Sequence, residues 1–365
     1  MRVGQEPDRG EPDNPGRQRG VIVVTGAAGA LGRRLCARLA SDPSVDAVIA
    51  LDRDAVPAGD RPIDLLTDDV KERFDGARTV IHLASAFGPA VDDDPEIVAA
   101  ADVEMARRVL DAAATTGAEH VVMLSSATVY GAWATNPVPL TEDAPLRPDP
   151  GLAFAVQKAE IERLTVEWRD QHPGVAVTVL RPATPVAEGH IGWLGRALRA
   201  AGEVRSPDDD PPAQFLHLDD LTSAIELASE QRLDGVFNVA PDGWLTPTEF
   251  RELAGGTAKV RVPRWVVDRL TDVRWRLRLG AAPPPGVLAY ARGAWVVAND
   301  RLKAAGWEPV VGNDEAYVGA VPAGPLATLS PRRRQELALG ASGALAAGAV
   351  AGSVALVRRA RRRSR

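Results

Sequence analysis

The chain holds 365 residues, 45% of them apolar and 25% charged, with a net charge of −6. That balance suits a soluble globular protein and excludes one that binds nucleic acid through overall basicity. The single cysteine, Cys36, excludes an internal disulfide and fits a reducing, cytoplasmic setting.

Residues 1–19 are charged, rich in Gly and Pro, and lack the apolar segment of a secretory signal. They are expected to form a disordered leader. GVIVVTG (20–26) is a β-branched run closed by glycine and predicts a buried parallel strand. A helix is predicted over 30–40, with Cys36 as a core thiol on its apolar face. AVIALD (47–52) and RTVIHLAS (78–85) predict the second and third strands. A helix over 94–117 leads to HVVMLSS (120–126), a fourth strand, and a helix over 153–171 leads to VAVTVLRP (175–182), a fifth. The aspartates of HLDD (217–220) are expected to cap a helix over 220–230, leaving His217 structural, as is His82. GVFNVA (235–240) predicts a sixth strand.

Strands alternating with helices over this length predict an α/β fold of the Rossmann type, a doubly wound parallel sheet with ligands at the carboxyl ends of its strands. The core spans 20–182 and is completed by 214–240. Segments 183–213 and 241–325, less regular and richer in Pro, Trp and Gly, predict a smaller substrate-side domain in the C-terminal half. Within it, residues 263–280 mix tryptophans with arginines and read as a helix of that domain, a basic lid or a membrane contact.

The first turn carries the most specific local signal. VVTGAAGALGRRL places Gly26, Gly29 and Gly32 in a G-x-x-G-x-x-G spacing between a strand and a helix. Glycines there allow a tight turn and close approach of the backbone to a pyrophosphate, while the helix N-terminus, at Ala30 and Leu31, favours the anion. Asp52 ends the second strand, where a carboxylate accepts hydrogen bonds from the adenosine ribose and repels a 2′-phosphate. That favours NAD over NADP, although Arg53 beside it is suited to greet such a phosphate.

Residues 326–365 form a basic tail rich in Ala and Gly. Residues 337–357 carry no charge and, at about 1.5 Å per residue, are long enough to cross a hydrocarbon core of about 30 Å. Arg332, Arg333 and Arg334 precede the run and more arginines follow it. Spanning would place the denser cluster outside a cytoplasmic face, so residues 332–365 read instead as an element lying on an anionic membrane surface. A dimer-mediating helix and a mobile tail are the alternatives.

With TGAAGALG, ALDRD, IDLLTD, VIHLASA, VVMLSSATVYG, QK, VLRPAT and QFLHLDDL in hand, the chain resembles the extended short-chain dehydrogenases/reductases, the NAD-dependent epimerase/dehydratase family, over roughly residues 20–310. The resemblance implies that Asp64 and Leu65 sit at the adenine, that Ala84 lies by the phosphates and ribose, and that Pro182 lies near the nicotinamide. It implies that Ser126 is the catalytic Ser/Thr and Lys158 the catalytic lysine that holds the nicotinamide ribose. It also implies a homodimer through the helices 94–117 and 153–171, and a small-molecule substrate.

Two positions depart from the pattern. Asp102 stands where the family usually has asparagine, and Phe154 occupies the place of the catalytic tyrosine. A phenyl ring neither takes nor gives a proton, and losing general acid/base catalysis costs about 10²–10⁴-fold in rate. The other tyrosines are Tyr130, Tyr290 and Tyr317; Tyr290 could reach the cleft from the lid, and Lys158 could act as base if burial depressed its pKa. Three functions stay open: an oxidoreductase or epimerase with weakened or altered acid/base, an NAD-binding sensor or scaffold without turnover at the membrane surface, and lyase or isomerase chemistry on the same fold. A substrate with phosphate, such as a nucleotide sugar, would suit arginines on the lid; a sterol-like or lipid-linked carbinol would suit the membrane.

Overall fold

The computed structural model describes residues 20–56, 62–86, 94–203, 211–253, 265, 268–269, 272–273 and 286–320. The proposed leader 1–19 and the tail 326–365, including 337–357, lie outside the described residues, as does most of 263–280. No helix among the described residues is long and apolar enough to cross a membrane.

Six parallel strands form the main sheet: β1 (Gly20–Thr25), β2 (Val45–Leu51), β3 (Ala77–His82), β4 (His120–Leu124), β5 (Ala176–Pro182) and β9 (Gly235–Val239). Their order is β2-β1-β3-β4-β5-β9. The inner strands are short apolar runs buried on both faces, β2 at the edge is mostly half-buried or exposed, and alternate side chains serve opposite layers. Ile22 and Val24 enter one core cluster while Val23 between them enters the other.

The helices divide between those layers. α1 (Ala30–Ala40) and α5 (Leu218–Gln231) share one face, tied by Arg34–Asp219 (3.2 Å) and Arg38–Glu226 (2.7 Å). α2 (Pro95–Thr116) and α3 (Ala153–Gln171) line the other, Met105, Val109 and Ile161 sharing its cluster with Val121 and Val177. α2 starts at Pro95 behind Asp94, whose carboxylate accepts the Glu96 N–H at 2.9 Å, and stops at Gly117, whose φ of 72° is left-handed. Cys36 is half-buried on α1, and desolvation pushes its thiol up to about 11, so it is an inert packing group.

A smaller sheet, ordered β7-β6-β8, is built from β6 (Thr184–Ala187), β7 (His190–Ile191) and β8 (Phe215–His217). Phe215–His217 therefore pairs in the small sheet, while Leu216 within it is buried in the same core cluster as Ile22 and Val24. Against this small sheet lie α4 (Trp193–Glu203) and α9 (Asn313–Ala320), with α6 (Pro247–Leu253) beside α9 and α7 (Val287–Arg292) on α4, whereas α8 (Asp300–Ala304) packs against β9 of the main sheet. The cap of α5 also differs from expectation. His217 is the N-cap, its Nδ1 accepting the Asp219 N–H at 3.2 Å. The aspartates are engaged elsewhere: Asp219 pairs with Arg34, and Asp220 accepts the N–H groups of Val310 (2.9 Å) and Val311 (3.0 Å).

Candidate active site

Chain direction across the sheet reverses at β1, which is flanked by β2 on one side and β3 on the other. A crevice opens at the carboxyl ends of strands at such a switch point. The glycine loop fills this place. Gly26 has φ 74°, and a Cβ on it would stand 2.6 Å from the Ala84 N at the end of β3. Gly32 lets α1 sit down on the loop, since a Cβ there would fall 2.2 Å from Gly26 O.

Gly29 is different. Its φ of −66° suits any residue, it is exposed, and a Cβ would meet only Gly26 O at 3.2 Å. The backbone conformation does not require a glycine there, and the one tight contact a side chain would make leaves its face open toward the α1 N-terminus. That N-terminus, at Ala30 and Leu31, has no side-chain cap and no acidic residue in its first turn. The loop thus fits the pyrophosphate of a dinucleotide.

Asp52 follows β2, and its Oδ2 accepts the Ala28 N–H at 2.9 Å while Oδ1 accepts the Asp54 N–H at 3.0 Å. Arg53 beside it is exposed. Asp64 caps a turn through Oδ1 to the Leu66 N–H (2.8 Å), and Leu65 is buried in the core below. Ala84 is half-buried, its N–H directed to Thr25 Oγ1 at 3.4 Å. Thr25 Oγ1 also meets His82 Nδ1 at 2.8 Å. Burial above all, with the nearby Lys158 charge, lowers the His82 pKa to about 3. His82 is accordingly a neutral structural residue.

The remaining residues converge from β4, α3 and β5. Ser126 follows β4 and caps the one-turn helix 127–130; its Oγ accepts from the Thr128 N–H (3.2 Å) and from the Thr128 hydroxyl (3.0 Å). With its lone pairs engaged in this way, the Ser126 proton is left to donate. Lys158, buried on α3, donates from Nζ to Leu124 O at 3.0 Å, and Nζ lies 5.8 Å from the Phe154 ring centroid. Burial lowers its pKa, and the charges of Asp102 and Glu162 oppose that shift. Pro182 ends β5, buried.

Phe154 is 8% exposed and stands edge-on to Trp193 of α4, ring centroids 4.8 Å apart. It belongs to an apolar cluster with Leu152, Leu194, Val287 and Leu288. None of the three tyrosines takes over its lost hydroxyl. Tyr290 Oη donates to Thr128 O (2.7 Å) and accepts the Asp149 N–H (3.1 Å), and burial pushes its pKa well above the usual range. Tyr130 Oη donates to Asn238 Oδ1 (2.8 Å) and accepts from Arg181 (2.7 Å). Tyr317 packs between Phe215 and Phe250. Tyr290 is therefore a strap that ties α7 to the one-turn helix 127–130 and to the loop before α3, not a group reaching into the cleft.

Two participants were not legible in the sequence. Gln157 donates from Nε2 to Asp102 Oδ2 at 2.7 Å, and its buried Oε1 has no hydrogen-bond partner among the described residues. Asp102 also accepts from Ser85 Oγ (2.6 Å) and the Ala86 N–H. It fastens the loop that carries Ala84 onto α2. Burial raises its pKa, with Lys158 and these hydrogen bonds opposing. Thr128, which positions Ser126, is the second. The quoted SSATVY contained it, but only the fold shows its hydroxyl turned toward Ser126.

Comparisons with known proteins bear on the fold and the family. The family model of the NAD dependent epimerase/dehydratase family matches residues 22–240. An uncharacterized protein of Mycobacterium tuberculosis is 29% identical over 266 residues, covering 68% of this chain and 70% of its own. The L-arabinose 1-dehydrogenase (NAD(P)(+)) of Haloferax volcanii is 32% identical over 203 residues, 52% of this chain and 71% of that protein. Among solved structures, MoeE5 in complex with UDP-glucuronic acid and NAD superposes with a TM-score of 0.60 at 23% identity, covering 81% of this chain and 96% of that one. The UDP-glucose 4-epimerase of Thermus thermophilus in complex with NAD gives 0.60 at 23%, covering 82% and 97%. At these identities the solved structures establish a common fold.

Proposed function

Because the chain belongs to the NAD-dependent epimerase/dehydratase family, we propose that it binds NAD(H) in the β1/β3 crevice and acts on a carbinol of a small molecule without a tyrosine acid/base. The observation that carries this is the pairing of the exposed Gly29 at an α1 N-terminus without a side-chain cap with Ser126 and Lys158 at the neighbouring strand end.

Gly26, Gly29 and Gly32 admit the pyrophosphate at the α1 N-terminus, Asp52 takes the adenosine ribose, and Asp64 and Leu65 border the adenine. Ala84 and Pro182 flank the ribose and the nicotinamide, where Lys158 holds the second ribose. The nicotinamide, when bound, supplies the acceptor or donor of hydride. Ser126 donates its proton to the substrate oxygen, an orientation Thr128 enforces by donating to Ser126 Oγ. The proton the tyrosine would move falls to Lys158, a buried amine whose charged form is disfavoured by desolvation. Phe154 and Trp193 form an apolar wall beside it.

The substrate class supported best is a sugar, free or nucleotide-linked. The solved neighbours include complexes with UDP-sugars, and one relative is described as acting on L-arabinose. Sterol-like and lipid-linked carbinols are the alternatives if residues 332–365 hold the protein at an anionic membrane. A homodimer through α2 and α3 is part of the proposal, supported by Ile97, Val156 and Val166, which are exposed on those helices. A second reading, an NAD-binding sensor or scaffold, is favoured by the closure of Phe154 against Trp193. Incubating the full chain with NAD and UDP-glucose, UDP-glucuronic acid or L-arabinose, and following nicotinamide absorbance and sugar NMR, separates the two. Turnover supports the enzyme; saturable NADH binding with every sugar unchanged supports the sensor.

A further inference from the structure

A buried ion pair ties together the elements that carry Ser126, Lys158 and Pro182. Arg181 of β5 binds Glu162 of α3, with Nε 3.0 Å from Oε1 and 3.1 Å from Oε2, and Nη2 2.6 Å from Oε2. Their side chains are 6% and 5% exposed. Ser125 Oγ donates to Glu162 Oε1, and Arg181 Nη1 donates to Tyr130 Oη at 2.7 Å and to Glu142 O at 3.3 Å. Tyr130 Oη in turn donates to Asn238 Oδ1 of β9 at 2.8 Å. Among the described residues, no buried side-chain nitrogen or oxygen of Ser125, Glu162, Arg181 or Tyr130 lacks a partner.

Each member is a close neighbour of a residue assigned to the nicotinamide end. Ser125 precedes Ser126, Arg181 precedes Pro182, and Tyr130 closes the one-turn helix that Ser126 caps. Glu162 lies one helical turn after Lys158. Lys158 Nζ donates to Leu124 O at 3.0 Å, while Glu162 takes Ser125. Two successive turns of α3 thus grip two successive residues at the end of β4. Phe154 has no hydroxyl to bridge Ser126 and Lys158, so their spacing rests on this grip.

Stability alone does not call for such a pair. Desolvating two charges offsets most of their attraction, and packed apolar residues of similar volume serve a core as well or better. What the pair adds is direction. A guanidinium fork meets a carboxylate in a fixed plane and leaves Nη1 for a third partner.

We propose that Arg181 and Glu162 are positioning residues, which with Ser125 fix Lys158 against Ser126 and thereby supply affinity for the nicotinamide half of the dinucleotide. The proposal rests on the reading that the crevice takes NAD(H) and deepens it.

The test compares the full chain with the variant Ser125→Ala/Glu162→Leu/Arg181→Met, in which apolar groups of similar size replace the ion pair. NADH binding is followed by nicotinamide fluorescence, and binding of ADP, which lacks the nicotinamide half, by calorimetry. The variant should unfold at or above the wild-type temperature. It should bind ADP within about twofold of the parent and NADH about tenfold or more weakly. Arg181→Lys, which keeps the charge and loses the fork, should fall between the two for NADH and leave ADP unchanged. An equal change for both nucleotides, an unchanged NADH affinity, or a variant that unfolds well below the parent would overturn the proposal, the last by making the pair an element of stability. A parent that binds no NADH refutes the reading of the site itself, and the proposal falls with it.

Discussion

Phe154→Tyr restores one oxygen to a site that keeps its serine and lysine. Its cost is set by where that oxygen goes. Phe154 is 8% exposed, with Trp193 edge-on at 4.8 Å and Lys158 Nζ at 5.8 Å from the ring centroid. Toward Lys158 and Ser126 the hydroxyl finds partners, and stability changes little. Against the Trp193 wall it is buried without one, at about 1–3 kcal/mol. The preserved lysine favours the first outcome, and a lysine ammonium beside a phenol lowers its pKa. General acid/base catalysis is worth about 10²–10⁴-fold, or about 3–5 kcal/mol of barrier. The assay pairs thermal unfolding with initial rates of NAD reduction on the sugars named above. A rate gain of about 10²-fold or more with an unchanged unfolding midpoint is expected. An equally stable variant that binds NADH and gains no activity would refute the view that only the hydroxyl is missing.

Other predictions follow from packing and charge. Gly32→Ala puts a methyl 2.2 Å from Gly26 O; a loss of about 1–3 kcal/mol in urea unfolding is expected, while Gly29→Ala leaves the midpoint near wild type. His82 and His120, with pKa values lowered to about 3 and about 4 by burial, stay neutral in the fold. Their unfolded forms take up protons below about pH 6.5, so each removes about 1.4 kcal/mol of stability per pH unit from there down toward its folded pKa; urea midpoints between pH 7 and 5 measure it. Asp102 works in the opposite sense. Its raised pKa means that stability present at low pH is lost as pH rises through the folded value. Asp102→Asn should therefore gain stability over wild type at pH 7 and gain less at pH 5, as differential calorimetry would show.

Much of the main sheet was legible because its physics is local. The β-branched runs at 20–26, 120–126 and 175–182 need no partner to declare themselves, and α1 and α3 fall on their predicted residues. The small sheet was not legible. Thr184–Ala187 and His190–Ile191 are too short for a period, and Phe215–His217 pairs with Thr184–Val186, far off in sequence. The helix cap at His217 was missed because Asp219 and Asp220 are better capping residues by type, and only the fold shows them drawn away to Arg34 and to Val310 and Val311. At the site, the departures Phe154 and Asp102 were visible as residues. What they touch, Trp193 from α4 and Gln157 one position before Lys158, depends on packing between helices that spacing alone does not reveal.

The most direct test of the cofactor site compares the full chain with Gly29→Val in an NADH titration followed by nicotinamide fluorescence. The valine takes an ordinary φ and its Cβ meets one backbone atom, Gly26 O at 3.2 Å, so the variant should stay folded with an unfolding temperature close to wild type yet lose NADH binding that the parent shows as a saturable curve. A parent that never saturates, or a folded Gly29→Val that binds NADH as the parent does, would contradict a dinucleotide closing on the N-terminus of α1.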